Sequence, residues 1–368
     1  MIDAYQIVKK NLIDKKYPFL NIEYLKSKYQ NEKNNLDFKF DSYIIIGIGG
    51  SSQGSKAIAG ILNKKNIFYF DHLNSKEIKR TLDLVSPNNT GFIFISKSGT
   101  TSEVLTLFDH LVEELKDKID ICKNFLVITE KNTAPLYMLA EHAGIKIIKH
   151  ESGIGGRFSI FSNTGLIPIS LFHDDVESIF NGFQIALDNF INDKYSLDSI
   201  SPKEQAIKKF ELIKVGKNIN IMLLYGDELY ELGNWLKQLF AESLGKKAFG
   251  FLPVVSKMTQ DQHSLLQLYL DGPKDKFFEI HAIDSNESND FIDITLANHK
   301  DAMIKTLESE KLPIVNITNY TVENIKEISL QIGNLFANSI LEVLILAELG
   351  NVDPFGQDAV EKQKNFLK

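Results

Sequence analysis

From residue 43 onward, short apolar runs bounded by turn residues alternate with longer stretches of helical period, and this alternation leaves the chain few folds to choose from. The runs at 43–48, 67–70, 91–95, 124–128 and 146–148 read as strands buried on both faces. Between them, 54–62, 76–85, 103–115 and 134–143 carry amphipathic helical spacing. Five strands alternating with four helices predict a parallel sheet with right-handed crossovers and helices on both faces. A looser second series follows, with strands at 219–225, 278–283 and 313–317, a further one at 251–255, and helices at 229–244, 291–309 and 322–349. The polar stretch 189–202 reads as a linker, and the Lys- and Asn-rich start reads as short helices lying on the body. The expected organisation is therefore a helical segment 1–40, a first α/β domain 41–200 and a second 201–368.

Composition narrows the class. A chain of 368 residues with 43% hydrophobic and 24% charged residues has enough apolar content for two ordinary cores. A net charge of −7 offers no basic surplus for a phosphate backbone, so no nucleic-acid partner is expected. No uninterrupted apolar run is long enough to span a bilayer, the start lacks the apolar core of a signal peptide, and Cys122 is the single cysteine. Together these predict a cytoplasmic protein with no membrane partner.

Chemistry is sought where strands end, because ligands of open α/β sheets sit beyond the strands' carboxyl ends. The first strand runs into Gly47-Ile48-Gly49-Gly50-Ser51-Ser52-Gln53-Gly54, directly ahead of a helix. Glycines there let backbone approach an anion, and the helix start supplies unpaired N–H groups. Ser52 stands where a dinucleotide fingerprint requires glycine, and Lys56 comes one place late for a Walker loop. The third strand runs into Ser96-Lys97-Ser98-Gly99-Thr100-Thr101-Ser102. One hydroxyl would cap the following helix, so the crowding of hydroxyls and a lysine points instead to a tetrahedral dianion. Two small, polar loops imply a compact phosphate ester.

At these loops the sequence resembles the phosphoglucose isomerase family, whose two sugar isomerase (SIS) domains carry a GIGGSxxG and a SKxxTTxET loop. Other family landmarks follow in order: Gly155-Gly156-Arg157-Phe158-Ser159, then Gln238 with Glu242-Ser243-Leu244-Gly245-Lys246, then Gln262-His263-Ser264, and last Pro354-Phe355-Gly356-Gln357 with Glu361 and Lys364. Gly356 and Gln363 depart from the commonest form of the last motif, as do Gln53, Ser55 and Val104 in the two loops. The resemblance runs from about residue 44 to 364. It implies two SIS-type doubly wound domains with mainly parallel five-stranded sheets, and reversible isomerisation of glucose 6-phosphate and fructose 6-phosphate through a cis-enediol. It further implies no metal and no cofactor, and a homodimer in which His263 crosses the interface to act with Lys364 on ring opening.

The residues themselves carry part of this. Moving a proton between adjacent carbons needs a base and a group that steadies an enediolate. Glu242, four residues after Gln238 on one helix face and three before a Gly245 stop, is the candidate base. Arg157, behind a glycine pair, is the candidate for the developing negative charge. Gly50, Ser51, Ser96, Lys97, Ser98, Thr100, Thr101 and Gly156 are the candidate phosphate and sugar contacts, with Gln238 and Gln357 beside them. Gln357 and Lys364 are seven apart, hence on one face of a short terminal helix begun by Asp353-Pro354. Read alone, Glu242 and Lys364 would be solvated side chains and Arg157 a surface ion-pair partner. The other histidines lack metal-ligand spacing. Three further readings stay open on the residues alone: acceptance of mannose 6-phosphate, a non-catalytic phosphosugar sensor, and a nicotinamide oxidoreductase, against which Ser52 argues.

Overall fold

The computed structural model describes residues 2–130, 133–195, 200–284, 290–321, 324–357, 359–360 and 362. It divides into two compact units, one of residues 17–176 and one of residues 1–16 with 177–368. Helix α1 (Ile2–Ile13) therefore belongs to the second unit, where Tyr5 donates to the Phe190 carbonyl at 2.7 Å. Helix α2 (Ile22–Asn34) opens the first unit, started by the Asn21 side chain, which accepts from Tyr24 N–H.

In the first unit, β1 (Ser42–Ile46), α3 (Gln53–Ile61), β2 (Ile67–Phe70), α4 (Ser75–Leu84) and β3 (Thr90–Ile95) are followed by α5 (Ser102–Leu115), the short α6 (Ile121–Asn124), β4 (Phe125–Thr129), α7 (Pro135–His142), β5 (Lys146–Lys149) and α8 (Asn163–Phe172). The five strands form one parallel sheet in the order β2-β1-β3-β4-β5. Its interior strands are continuously apolar because both faces are covered: Ile44, Ile45, Ile46, Phe92, Ile93, Phe94 and Phe125 are all fully buried. Helix α5 covers one face with Val104, Leu107, Phe108, Leu111 and Leu115, one helical stripe set against Phe94 and Phe125.

The second unit continues with α9 (Val176–Asn192), α10 (Pro202–Lys214), β6 (Ile219–Tyr225), α11 (Tyr230–Leu244), β7 (Leu252–Met258), α12 (Gln260–Asp271), β8 (Lys276–Ile283), α13 (Phe291–Ser309), β9 (Ile314–Tyr320) and α14 (Ile325–Leu349). Its sheet is parallel in the order β7-β6-β8-β9. Four strands stand where the resemblance implied five: among the described residues, the chain leaving β9 goes into α14 and adds no strand beyond that edge.

The division of the chain falls at residue 176, not near 200, because α9 packs on α14. A Cβ on Gly182 would lie 2.0 Å from the Leu330 carbonyl oxygen, and one on Gly333 would lie 1.9 Å from that of Ile179. The helices meet backbone to backbone, and the polar stretch after α9 becomes a connection within the second unit. It ends in a capping box, in which Ser201 accepts from Glu204 N–H while Glu204 accepts from Ser201 N–H. Helix α14 is long and apolar enough to cross a bilayer, but 72% of its apolar window is buried inside the protein, as befits a core helix.

His150, just past β5, is 1% exposed, and burial holds its pKa down at about 4 from an ordinary 6.5. Between these two values the unfolded chain takes up a proton that the folded chain refuses, so stability falls as pH drops through this window. The full effect is about 3 kcal/mol. Thermal unfolding followed from pH 7 to pH 4 is expected to show this fall, and His150→Gln is expected to flatten it.

Candidate active site

In the first unit the chain leaves β1 for β2 on one side and then crosses to β3 on the other, so β1 and β3 flank the switch point of the sheet. Both hydroxyl-rich loops leave the carboxyl ends of these two strands.

The loop after β1 makes a tight turn with Gly49 at φ 57°. Ser52 donates to the Gly47 carbonyl at 2.7 Å and Ser55 to that of Ser52 at 2.9 Å. Those two hydroxyls hold the loop, and the Ser52 side chain does not cap α3. Ser51 is half-buried. Gly50 lies flat against the glycine pair that precedes Arg157: a Cβ on Gly50 would sit 2.2 Å from the Gly156 carbonyl carbon and 2.5 Å from the Arg157 nitrogen. Ser159 ties the two segments together, donating to the carbonyls of Gly156 at 2.7 Å and Gly50 at 3.3 Å. Two motifs far apart in the chain thus form one surface, and Arg157 is only 4% exposed, which sets aside the surface ion-pair reading. Gly50→Ala is expected to force them apart and raise KM for a sugar phosphate at least tenfold, about 1.4 kcal/mol of lost binding, as steady-state kinetics would record.

The loop after β3 turns at Gly99, φ 65°. Ser96 is buried, within 2.9 Å of the Thr101 hydroxyl, and accepts from Gly99 N–H at 3.1 Å. Thr100 donates to Ser98 at 2.9 Å, and Thr129 donates to the Ser96 carbonyl at 2.6 Å. Ser98 and Thr100 are exposed, and Lys97 lies 3.9 Å from Glu130. The Thr101 side chain makes no cap bond to α5. The hydroxyls bond to one another around a helix start that the Thr101 side chain leaves uncapped, an arrangement suited to an anion.

In the second unit, Gln238 donates to Glu242 at 2.8 Å on the last turns of α11, and Gly245 ends that helix. Glu242 is half-buried. Phe240 packs on Phe251, which precedes β7, and Phe251 packs on Phe277 near the start of β8. Glu242 therefore lies at the amino end of this sheet, not beyond the carboxyl ends where the sequence directed attention. Lys246 donates to the Asp353 carbonyl, so the Pro354 motif starts at the same end. Asp353 accepts from Phe355 and Gly356 N–H at 3.1 and 3.0 Å, while Gln357 is exposed. Lys364 falls outside the described residues. His263 is exposed on the first turn of α12, which follows the carboxyl end of β7. The seven residues of β7 separate it from the Glu242 end by roughly 20 Å. The unit thus gathers Gln238, Glu242, Lys246 and the Pro354 turn at one end and sets His263 at the other. The Lys246 contact was not read from the sequence, where its only signal was membership of the same motif as Glu242.

The family model described as phosphoglucose isomerase matches residues 35–307. The chain belongs to the phosphoglucose isomerase family. Among relatives in this family, glucose-6-phosphate isomerase of Campylobacter jejuni is 33% identical over 72% of this chain, and the match spans 63% of that enzyme's length. The enzyme of Methanocaldococcus jannaschii is 29% identical over 89% of this chain and 83% of its own. Of solved structures, glucose-6-phosphate isomerase of Chlamydia trachomatis shares the fold with TM-score 0.73 at 19% identity, covering 96% of this chain and 72% of its own. A Thermus thermophilus protein does so with TM-score 0.80 at 23% identity, covering 99% and 93%. The matched residues include the loops after β1 and β3, the Arg157 segment, the end of α11 and the start of α12.

Proposed function

We propose that this member of the phosphoglucose isomerase family is a glucose-6-phosphate isomerase, interconverting D-glucose 6-phosphate and D-fructose 6-phosphate in glycolysis and gluconeogenesis. The family match carries the reaction class, and the loops after β1 and β3 at the switch point, the first of them seated against the Arg157 segment, support a phosphorylated hexose as its substrate. Ser51, Ser96, Lys97, Ser98, Thr100 and Thr101 hold the phosphate, with Gly50 and Gly156 leaving room for the sugar. Glu242, oriented by Gln238, takes the proton from C2 and returns it to C1 of the cis-enediol. The guanidinium of Arg157 balances the charge that develops on the enediolate oxygens. Gln357 and Lys364 complete the site from the terminal segment. The reaction only moves protons within one molecule, so no metal or redox cofactor is required.

The active enzyme is a cytoplasmic homodimer, and His263 serves the partner's site, where it opens the sugar ring with Lys364. The observation that supports this is the placement of His263 and Glu242 at opposite ends of one sheet. The test mixes two inactive chains, Glu242→Gln and His263→Ala. A heterodimer of the two has one site in which both residues are intact. Random reassortment is therefore expected to restore about a quarter of wild-type glucose 6-phosphate turnover. Failure to restore any would return His263 to its own chain's site. Absence of turnover by the wild-type enzyme, with fructose 6-phosphate still bound, would favour a sensor.

A further inference from the structure

The second unit holds a cavity of about 930 Å³ against its edge strand β9, walled by α9, α10 and α14. None of Gln238, Glu242, His263 and Gln357 lines it. Its volume falls at the upper end of the range of small-molecule sites, about 300–1,000 Å³. Two observations mark it as built for a ligand. His281, 4% exposed, meets the Tyr320 hydroxyl at 2.8 Å through Nδ1, while its Nε2 is buried with no partner among the described residues. On the facing helix, Asn338 donates to Asn334 at 2.8 Å, and its carbonyl oxygen is likewise buried without a partner among the described residues. Polar atoms left this way cost stability unless something occupies them.

The lining also selects what that is. Glu279 and Glu342 take up the charge of Lys209, 2.7 Å from each, and Lys208 is set against Glu308, so the lining has no surplus positive charge to hold a phosphate or carboxylate. Hydroxyl groups both donate and accept, and so satisfy His281 Nε2 in either tautomer as well as the Asn338 carbonyl. The ring of Phe240 offers an apolar face. We propose that this cavity is a second, non-catalytic site for an uncharged polyhydroxyl compound of sugar size that carries no phosphate.

The test is saturation-transfer difference NMR of D-mannitol and D-glucose on the full-length protein, with D-glucitol 6-phosphate present to fill the sugar-phosphate site. Signals from at least one of the two are expected to persist with the phosphate compound bound. They are expected to be lost in Asn338→Leu and in Ile185→Trp, which fills the cavity mouth, with isomerase turnover reporting that each variant is folded. Should Asn338→Leu fail to fold, Ile185→Trp alone gives the reading. Displacement of the signals by D-glucitol 6-phosphate, their survival in the folded variants, or no signal from either compound would each overturn the proposal.

Discussion

Replacing Glu242 by Gln is expected to lower kcat by about 10²–10⁴-fold, the usual worth of a positioned general base. The substitution keeps the shape of the side chain, and its carbonyl oxygen can still accept from Gln238, whose amide donates to the native carboxylate at 2.8 Å. What is lost is the capacity to take a proton. KM for fructose 6-phosphate is expected to stay within a few-fold of wild type, because the residues proposed to hold the phosphate are those of the loops after β1 and β3. Exchange of the C2 hydrogen of glucose 6-phosphate with solvent is expected to fall with turnover. A variant that kept wild-type kcat would move the base elsewhere, while one that lost binding as well would show that Glu242 shapes the site.

The parallel sheet of the first unit was legible because its strands are buried on both faces, which writes them as unbroken apolar runs such as Ile44-Ile45-Ile46. The α9 boundary was not, because it depends on Gly182 and Gly333 letting two distant helices touch. The contact between Gly50 and Gly156 had a signal, paired glycines in both motifs, but nothing in either motif alone says that it faces the other. Glu242 and His263 were both named from the motifs. Their separation was not, since it follows from the direction in which α11 runs back across the sheet. Lys209 was missed altogether: in the stretch Pro202–Lys214 it is one of several lysines on an amphipathic helix, and only the fold shows that it is fully buried.

That burial carries the largest expected effect on stability. Lys209 lies 2.7 Å from both Glu279 and Glu342 and 4.2 Å from the centre of the Phe240 ring, and Asn220 donates to Glu279. Burial alone would push the Lys209 pKa down, but the two carboxylates hold it above its ordinary value. Glu342 is pushed up to about 7 by burial. Lys209→Met removes the cation and leaves two buried carboxylates facing each other, a change expected to cost about 3–5 kcal/mol. Urea unfolding at pH 8 would record it. Without the lysine, both carboxyl groups favour protonation more strongly in the folded state than in the unfolded one, so folding takes up protons. The deficit is therefore expected to shrink as pH falls toward 5 and to be greatest above pH 7. A second variant, Lys209→Met with Glu279→Gln and Glu342→Gln, leaves no charge to bury and is expected to recover much of the loss at pH 8. If the single variant were as stable as wild type at pH 8, the cluster would be no more than a set of contacts that water replaces. If the triple variant fared no better than the single one, the loss would come from packing around the lysine stem instead of from unpaired charge.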